Sequence, residues 1–324
     1  MMHFDNIVVG AGLSGIAAGY RLQTQLPNKT YAILEGRSTV GGTWDLFRYP
    51  GIRSDSDMYT LGYSFSPWVG TKTLADGDLI LDYIKKTADK YNIRQHIHLN
   101  TKVSRMSWNS EKGLWTLDCI RSKFSGGCLT EEPVTYTCGF VFMCSGYYDY
   151  SKGYLPDFPG TDRFKGQVVH PQFWPENCNY TGKRVVVIGS GATAITLIPA
   201  MANDTAHITM LQRSPTYVAA VPREDLMAKV LLTYFPHSVA HFINRWRNIL
   251  FANFFYQVCK VFPQTVKREI QRGVTHFLGR DYPVEEHFSP TYNPWDQRFC
   301  VAPGGDALCM CCVLMSYLSM SMHM

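Results

Sequence analysis

A glycine-rich turn near the start of the chain carries the first residues that could do chemistry. A short apolar run predicts a strand, and Gly10, Gly12 and Gly15 follow it in the spacing G-x-G-x-x-G, ahead of a predicted helix at residues 13–23. A second predicted strand ends at Glu35, 20 residues after Gly15. Glycines let the backbone approach a pyrophosphate, a helix N-terminus attracts phosphate, and the carboxylate accepts hydrogen bonds from a ribose. The combination predicts a dinucleotide site; a tight turn without a ligand is the alternative.

The same kind of unit recurs later in the chain. A predicted strand at residues 184–188 is followed by Gly189 and Gly191 and then by a helix, and the next strand leads into Arg213 and Ser214 where the first unit has Glu35. An acid would repel a 2′-phosphate, whereas a guanidinium binds it with two hydrogen bonds and a hydroxyl adds another. The first site therefore suits FAD, and the second favours NADPH over NADH. The alternative is that Arg213 is an ordinary surface charge.

Two such units about 180 residues apart predict the organisation of the whole chain. The fold class is α/β, with two Rossmann-like three-layer (ββα) dinucleotide-binding domains of the two-dinucleotide flavoprotein type. We expect an FAD-binding domain at residues 1–150, an NADP-binding domain at residues 151–306, and a divergent tail at residues 307–324. A helical insertion is expected near residues 226–280, and residues 121–133 read as a solvated hairpin loop.

The segment of residues 226–262 is rich in aromatic side chains. Phe242, Trp246, Leu250 and Phe254 follow a helical spacing, with arginine and lysine between them, which predicts one or two amphipathic helices. Packing of these helices on the nucleotide domain is the favoured interpretation, and peripheral association with a membrane surface is the alternative.

Composition excludes several classes of protein. The net charge of +5 is too small and too scattered for a nucleic-acid-binding protein, and the longest apolar run, nine residues at 307–315, is too short to span a bilayer. The ten cysteines are irregularly spaced, and no charged leader precedes the first strand, so we expect reduced thiols in the cytoplasm. His96 and His98 have no further ligands around them, so no metal site is predicted.

Two longer motifs resemble a known family. Residues 41–55 read GGTWDLFRYPGIRSD, and residues 164–175 fit F-x-G-x-x-x-H-x-x-x-W-P, with His170 and Trp174 at its fixed positions. With the two nucleotide units in this order, the chain from about residue 4 to Asp306 resembles the Baeyer–Villiger, or class B, flavoprotein monooxygenases, especially the branch that oxidises ketones, sulfides and ethionamide. Amine- and sulfide-oxygenating flavin-containing monooxygenases have Tyr or Phe in place of Trp174. Disulfide reductases have a redox cysteine where Trp44 stands.

The resemblance implies a reaction and its cofactors. FAD binds the first fold and NADPH the second; the nicotinamide reduces the flavin, and O2 adds to it to give a C4a-peroxyflavin. One oxygen atom then enters a small apolar ketone, giving an ester, or is transferred to sulfur. The nicotinamide nucleotide stays bound and shields the intermediate from water, which would otherwise promote loss of hydrogen peroxide.

The resemblance also implies roles for individual residues. Arg298 stabilises negative charge in the reaction and Asp55 is its partner, the alternative being a purely structural ion pair. His170 and Trp174 lie at the interdomain linker and couple cofactor binding to domain rotation, unless His170 is simply packed. The flavin contacts fall on Gly10, Gly12, Ser14, Gly15, Glu35, Thr43, Trp44, Asp45, Leu46, Asp55 and Val103. The NADP contacts fall on Arg53, Ser54, Asp55, Gly189, Ser190, Gly191, Ala192, Thr193, Ala194, Ile195, Arg213 and Ser214.

The resemblance stops at the tail. Residues 307–324 contain five methionines and three cysteines but no Asp, Glu, Lys or Arg, and they have no helical periodicity. We expect a replacement sequence there, with an unpaired sheet edge, poor solubility and weak FAD retention. Two alternatives stay open: a short enzyme whose tail packs usefully, and a non-catalytic flavoprotein fragment that binds nucleotide or another chain. The oligomeric state and the substrate are not predicted.

Overall fold

The computed structural model describes residues 1–125, 128–309 and, as backbone, 315–319. Its internal contacts divide the chain into two units. Unit 1 consists of Met1–Arg48 and Asp78–Phe173, and unit 2 consists of Tyr49–Gly77 and Trp174–Met324. The division differs from the predicted boundary at residue 150, because the chain beyond that point packs back on unit 1, where Gln172 Nε2 donates to the Asp149 carbonyl at 2.6 Å. That residues 1–150 and 151–306 serve different cofactors stays a prediction.

Unit 1 is built on one six-stranded sheet in the order β3-β2-β1-β6-β5-β4. Strands β1, β2, β3 and β6 pair in parallel, whereas β4, β5 and β6 form an antiparallel meander. The strands are β1 Met2–Val9, β2 Tyr31–Leu34, β3 Ile97–His98, β4 Thr101–Asn109, β5 Leu114–Ser125 and β6 Cys128–Met143. The helices up to residue 90 are α1 Leu13–Gln25, α2 Thr43–Leu46, α3 Met58–Leu61, which lies in unit 2, and α4 Gly77–Lys90.

The parallel part of the sheet contains the predicted β-turn-α-β unit. Ile7 and Leu34 lie in its buried core together with Leu117 and Tyr136 from the meander. The predicted hairpin loop at residues 121–133 is wrong in extent, because β5 and β6 stay paired out to Ser125 and Cys128. The described side chains of these paired strands within residues 121–133 are exposed or half-buried, which gives the segment the composition of a loop.

Unit 2 contains two small parallel sheets and most of the helices. One sheet has the order β11-β8-β7 and the other pairs β10 with β9. The strands are β7 Arg184–Ile188, β8 His207–Gln212, β9 Tyr217–Val221, β10 Phe299–Pro303 and β11 Met315–Ser319. The helices are α5 Ala192–Met201, α6 Leu226–Tyr234, α7 His237–Val261, α8 Pro263–Leu278 and α9 Val284–Phe288. No helix in the described ranges combines the length and the apolar character needed to cross a membrane.

The tail contributes a strand, which differs from the expected unpaired edge. Its residues Met315–Ser319 form β11, which pairs in parallel with β8 from Ile208 to Gln212. Strand β8 therefore has a neighbour on each side, β7 and β11. Cys311 and Cys312 lie outside the described residues, and Cys309 is a free thiol.

Candidate functional site

The first glycine turn, in unit 1, is shaped by positions that admit no side chain. Gly10 has φ of 103°, and a Cβ on it would lie 2.4 Å from the carbonyl oxygen of Cys144. A Cβ on Gly15 would lie 1.9 Å from the carbonyl oxygen of Gly10, so this glycine lets α1 pack directly on the turn. Gly12 is the N-cap of α1 and no side chain caps the helix, so its first N–H groups can bind phosphate. Ser14 is exposed in that first turn.

Glu35 is buried and fixed by the turn itself. Its Oε2 accepts from the backbone N–H of Ala11 at 2.7 Å, and its Oε1 accepts from the N–H of Arg37 at 2.9 Å. Each carboxylate oxygen keeps further acceptor capacity, which a ribose hydroxyl requires. The same segment reaches β4, since the N–H of Thr101 donates to the Glu35 carbonyl at 2.7 Å. Val103, the expected adenine-side contact, lies two residues further along this strand and is half-buried.

The segment after the two glycines at 41 and 42 folds over the same turn. The N–H of Gly41 donates to the Ala11 carbonyl at 3.0 Å, and a Cβ on Gly42 would lie 3.0 Å from the Cα of Gly12. Helix α2 therefore brings Thr43, Trp44, Asp45 and Leu46 to the glycine turn. These four predicted flavin contacts and the turn form one cluster within unit 1.

Asp45 is held by two arginines. Its carboxylate, which is buried, pairs with Arg37 at 2.5 Å and with Arg48 at 2.6 Å. Tyr150 lies beside the cluster: the Arg37 guanidinium is 5.8 Å from its ring centre, and burial, reinforced by the Glu35 carboxylate, raises the pKa of its hydroxyl. With both oxygens engaged by arginines, the carboxylate of Asp45 orders this segment.

The second glycine turn, in unit 2, is open. No atom of the described residues lies within 4 Å of a Cβ placed on Gly189 or on Gly191, and Gly189 has φ of 128°. Gly191 is the N-cap of α5 and has no side-chain cap. The buried Ser190 hydroxyl donates to the Ser214 carbonyl at 3.0 Å, which ties the turn to the end of β8. The seven predicted contacts Gly189, Ser190, Gly191, Ala192, Thr193, Ala194 and Ile195 therefore lie together with Ser214 and the exposed Arg213.

The segment of residues 51–55 packs on the same helix. Gly51 has φ of 75°, and a Cβ on it would lie 2.4 Å from the carbonyl oxygen of Thr196 in α5. Ser54 is buried, and its hydroxyl donates to the Ser56 carbonyl at 2.8 Å. Arg53 forms a largely buried ion pair with Asp306, with Nη1 to Oδ2 at 2.7 Å. The predicted contacts Arg53, Ser54 and Asp55 are thus anchored in unit 2 beside the second nucleotide turn.

Asp55 and Arg298 lie around Cys300 without pairing with each other. Burial, together with the Asp55 carboxylate, raises the pKa of the Cys300 thiol to about 11, against the opposing effects of a hydrogen bond with Thr216 and of the Arg298 guanidinium. Burial also raises the pKa of Asp55, and the cation that counters it is Arg53. Within the described residues no ion pair joins Asp55 to Arg298, and the Arg298 side chain is exposed. The expected pair is therefore not formed in this structure; the cation that acts on Asp55 is Arg53, which is itself ion-paired with Asp306.

The motif at residues 164–175 straddles the division between the units. A Cβ on Gly153 would lie 2.1 Å from the ring of His170, so His170 is packed against unit 1 backbone. Trp174 belongs to unit 2, where its ring makes an edge contact with Tyr180 at 6.3 Å. The role of these two residues in domain rotation stays a prediction.

Four residues around these sites were missed by sequence reasoning. Arg37 and Tyr150 frame the first turn, Asp306 pairs with Arg53, and Arg245 donates through Nη1 to the Tyr59 carbonyl at 2.7 Å, holding the segment that carries Asp55. Arg37 also pairs with Asp45, eight positions away, but the other partners are distant in the sequence, up to 253 positions for Arg53 and Asp306. No local pattern signals such pairs.

The chain matches a known family of proteins. The family described as flavin-binding monooxygenase-like matches residues 72–259, and an NAD(P)-binding Rossmann-like domain matches residues 8–70. The chain is 48% identical to the FAD-containing monooxygenase EthA of Mycolicibacterium smegmatis over 94% of its length and 60% of that protein's. It is 47% identical to the putative FAD-containing monooxygenase MymA of Mycobacterium tuberculosis, covering 61% of that protein. The chain thus spans about 60% of the length of the curated relatives it matches.

Solved structures share the fold. An oxidized steroid monooxygenase bound to NADP superposes with a TM-score of 0.77 at 24% identity, over 98% of this chain and 65% of that one. A cyclohexanone-bound cyclohexanone monooxygenase superposes with a TM-score of 0.74 at 20% identity, over 98% of this chain and 66% of the other. The fold is that of the two-dinucleotide flavoproteins, as the sequence predicts. With its family match over more than half its length, the chain belongs to the flavin-binding monooxygenase-like family.

Proposed function

We propose that this chain carries the FAD- and NADPH-binding portion of a monooxygenase that inserts one atom of O2 into a small apolar ketone or onto sulfur. The observation that carries the proposal is the contrast between the two nucleotide turns. The first ends its second strand at a buried carboxylate, Glu35, and the second at an exposed guanidinium, Arg213. One turn thus suits an unphosphorylated ribose and the other a 2′-phosphate.

The residues present fit both cofactors. At the first turn, Gly10 and Gly12 form a cradle that a Cβ at position 10 would close, and the uncapped N-terminus of α1 offers N–H groups to a pyrophosphate. At the second, the space above Gly189 and Gly191 is open to a nucleotide backbone. A bound reduced flavin would supply the electrons and the centre at which O2 is activated.

The protein's own contribution to the reaction centres on Arg298 and Asp55. The Arg298 guanidinium stays charged at any working pH, and its exposed side chain is available to stabilise an oxyanion that develops during oxygen transfer. Its backbone is held in place, since the Tyr292 hydroxyl donates to the Arg298 carbonyl at 3.0 Å. Asp55, whose pKa is raised by burial, lies near enough to Cys300 to influence the same thiol as Arg298.

Purified protein tests the proposal in two steps. Its absorption spectrum shows whether flavin is bound, and O2 consumption is then followed with NADPH and with NADH. Product analysis on a cyclic or long-chain ketone distinguishes an ester from no product. An amine N-oxide without ester would instead favour the amine- and sulfide-oxygenating type. Bound flavin with no turnover would favour a non-catalytic nucleotide-binding fragment. The cytoplasmic location stays a prediction.

A further inference from the structure

Helix α7 directs its polar residues inward and its apolar residues outward. His241 and Asn244 are buried, Arg245 donates to the carbonyls of Tyr59 and Gly62, and Asn248 Nδ2 donates to Asp57 at 2.9 Å. This is the reverse of the usual arrangement for a surface helix. The helix therefore packs within unit 2, as expected, but through its polar side, so the four aromatic and aliphatic residues of its predicted apolar face are exposed.

The outward face of α7 is an almost continuous apolar stripe. Phe242 is 62% exposed, Trp246 50%, Leu250 63% and Phe254 66%. Steps of three, four and seven residues separate most members of the stripe, so they lie on one side of the helix. The full stripe comprises Val239, Phe242, Ile243, Trp246, Leu250, Phe254 and Val261. Exposed apolar surface of this extent marks a site of interaction.

Helix α6, which contacts α7, adds to this surface. Leu226, Val230 and Tyr234 recur every four residues and are all exposed, whereas Ala228 on the other side is buried. Tyr and Trp side chains combine an apolar ring with a polar group, which suits the boundary between water and hydrocarbon.

The charged residues of the segment that contains α6 and α7 are all basic. Residues 226–268 include six Lys or Arg and no Asp or Glu. Four of the six already have partners within the fold. Arg245 and Lys267 donate hydrogen bonds to backbone carbonyls, Arg247 forms an ion pair with Asp225, and Lys260 forms one with Asp296. In the described part of the chain Lys229 on α6 and Arg268 on α8, which contacts α7, are exposed and have no ion pair. Cations beside exposed aromatic and aliphatic side chains complement an anionic lipid surface.

We propose that the outward faces of α6 and α7 bind the surface of a membrane that contains anionic lipids, with the apolar stripe inserted among the head groups. The helices lie on the bilayer and do not cross it. This inference is independent of the proposed oxygenase activity, because it uses no residue of either nucleotide site.

Vesicle co-sedimentation of the 324-residue chain tests the proposal. We expect the protein to sediment with vesicles containing about 30% phosphatidylglycerol in phosphatidylcholine and to bind much less to phosphatidylcholine alone. The double variant Leu250→Gln/Phe254→Gln should bind about tenfold more weakly, since it removes two large inserted side chains. Lys229→Gln/Arg268→Gln should weaken binding to the anionic vesicles only.

Matched controls are available in unit 1. Leu129 is 60% exposed and Phe164 is 62% exposed, so Leu129→Gln/Phe164→Gln removes the same side chains from an equally accessible place. Arg163→Gln/Lys165→Gln removes the same charges from an exposed segment. Neither control should change vesicle binding. Far-UV circular dichroism and the flavin spectrum verify that each variant is folded.

Three outcomes would overturn the proposal. The wild-type chain could fail to bind either kind of vesicle, or the stripe variant could bind as well as its control. Alternatively, sedimentation velocity could show a dimer that dissociates in Leu250→Gln/Phe254→Gln while vesicles are ignored. That result would assign the stripe to a second copy of the chain.

Discussion

Arg213 stands exposed at the end of β8, beside the Ser214 carbonyl that Ser190 holds. Removing a charge-assisted hydrogen bond costs about 1.5–3 kcal/mol, so Arg213→Ala should weaken NADPH binding by one to two orders of magnitude and leave NADH binding nearly unchanged. Arg184→Ala, which removes an exposed arginine at the start of β7, is the control and should change neither. Titration of both nucleotides measures the effect. Equal losses for the two would contradict the assignment of Arg213 to a 2′-phosphate.

Arg298 has an anchored backbone and an exposed guanidinium. Arg298→Ala should leave the flavin spectrum intact and lower the rate of oxygenated product formation by about 10²–10³, the usual effect of losing one preorganised donor to a developing oxyanion. Arg298→Lys keeps the charge but loses the paired N–H groups, so a partial recovery is expected. Wild-type product formation by the alanine variant would make Arg298 a structural residue.

Asp55 should reduce stability at neutral pH. Burial raises its pKa in the folded state above the ordinary value, so ionisation costs stability as the pH rises through the folded pKa, and the cost is absent below about pH 4. Asp55→Asn should therefore raise the melting temperature at pH 7 and lose this advantage in acid. Asp89, whose pKa is lowered by a hydrogen bond from Arg94, should have the opposite effect on stability, because its ionised form is the one that the fold stabilises. A lower melting temperature for Asp55→Asn at pH 7 would show that its ionised form is stabilised by a contact beyond Arg53.

The two glycine turns are alike in sequence and different in packing. Gly15→Ala would place a methyl group 1.9 Å from a backbone oxygen, whereas Gly191→Ala would enter open space. We expect Gly15→Ala to lower the free energy of unfolding by about 1–3 kcal/mol or more, as overpacking does, and Gly191→Ala to change it by less than about 1 kcal/mol while weakening NADPH binding. Denaturant titration and nucleotide titration measure the two effects. Comparable losses of stability in both variants would be inconsistent with this difference.

At the scale of elements, local patterns in the sequence predicted the strands correctly, but contacts between residues far apart in the sequence could not be predicted. The predicted strands at residues 31–34 and 184–188 match β2 and β7, because each is a short, largely apolar run within a strand-turn-helix-strand unit that its glycine turn marks. The direction in which α7 faces was predicted wrongly. Its periodicity shows two different faces, but the buried one is chosen by a carbonyl of α3 that Arg245 reaches and by the Asp57 carboxylate that Asn248 reaches, both across more than 180 residues.

The tail covers a strand edge in unit 2, although its composition gives no indication of a structural role. Strand β11 covers one side of β8, so a chain ending at residue 309 would expose a strand edge and should aggregate more readily. A chain ending at residue 319 keeps β11 and serves as the control. Light scattering during concentration compares the two. Equal behaviour of the two truncated chains would mean that the pairing of β11 with β8 does not protect the sheet.

The assignment of residues 49–77 to a unit could not be predicted from the sequence. The motif patterns place both nucleotide turns correctly in the chain, yet they assign residues 49–77 to the first domain. The structure assigns them to unit 2, where Gly51 packs on α5 and Arg53 pairs with Asp306. Both contacts join positions more than 140 residues apart, and a single sequence carries no signal of such proximity.

The interleaved path of the chain has a practical consequence for engineering. The backbone passes between the units three times, after Arg48, after Gly77 and after Phe173. Exchanging the nucleotide specificity of this protein for that of a relative therefore requires transplanting two separate stretches together. A chimera with a single crossover at residue 173 would combine Arg53 of one parent with Asp306 of the other, so recombination libraries should keep that pair from the same parent.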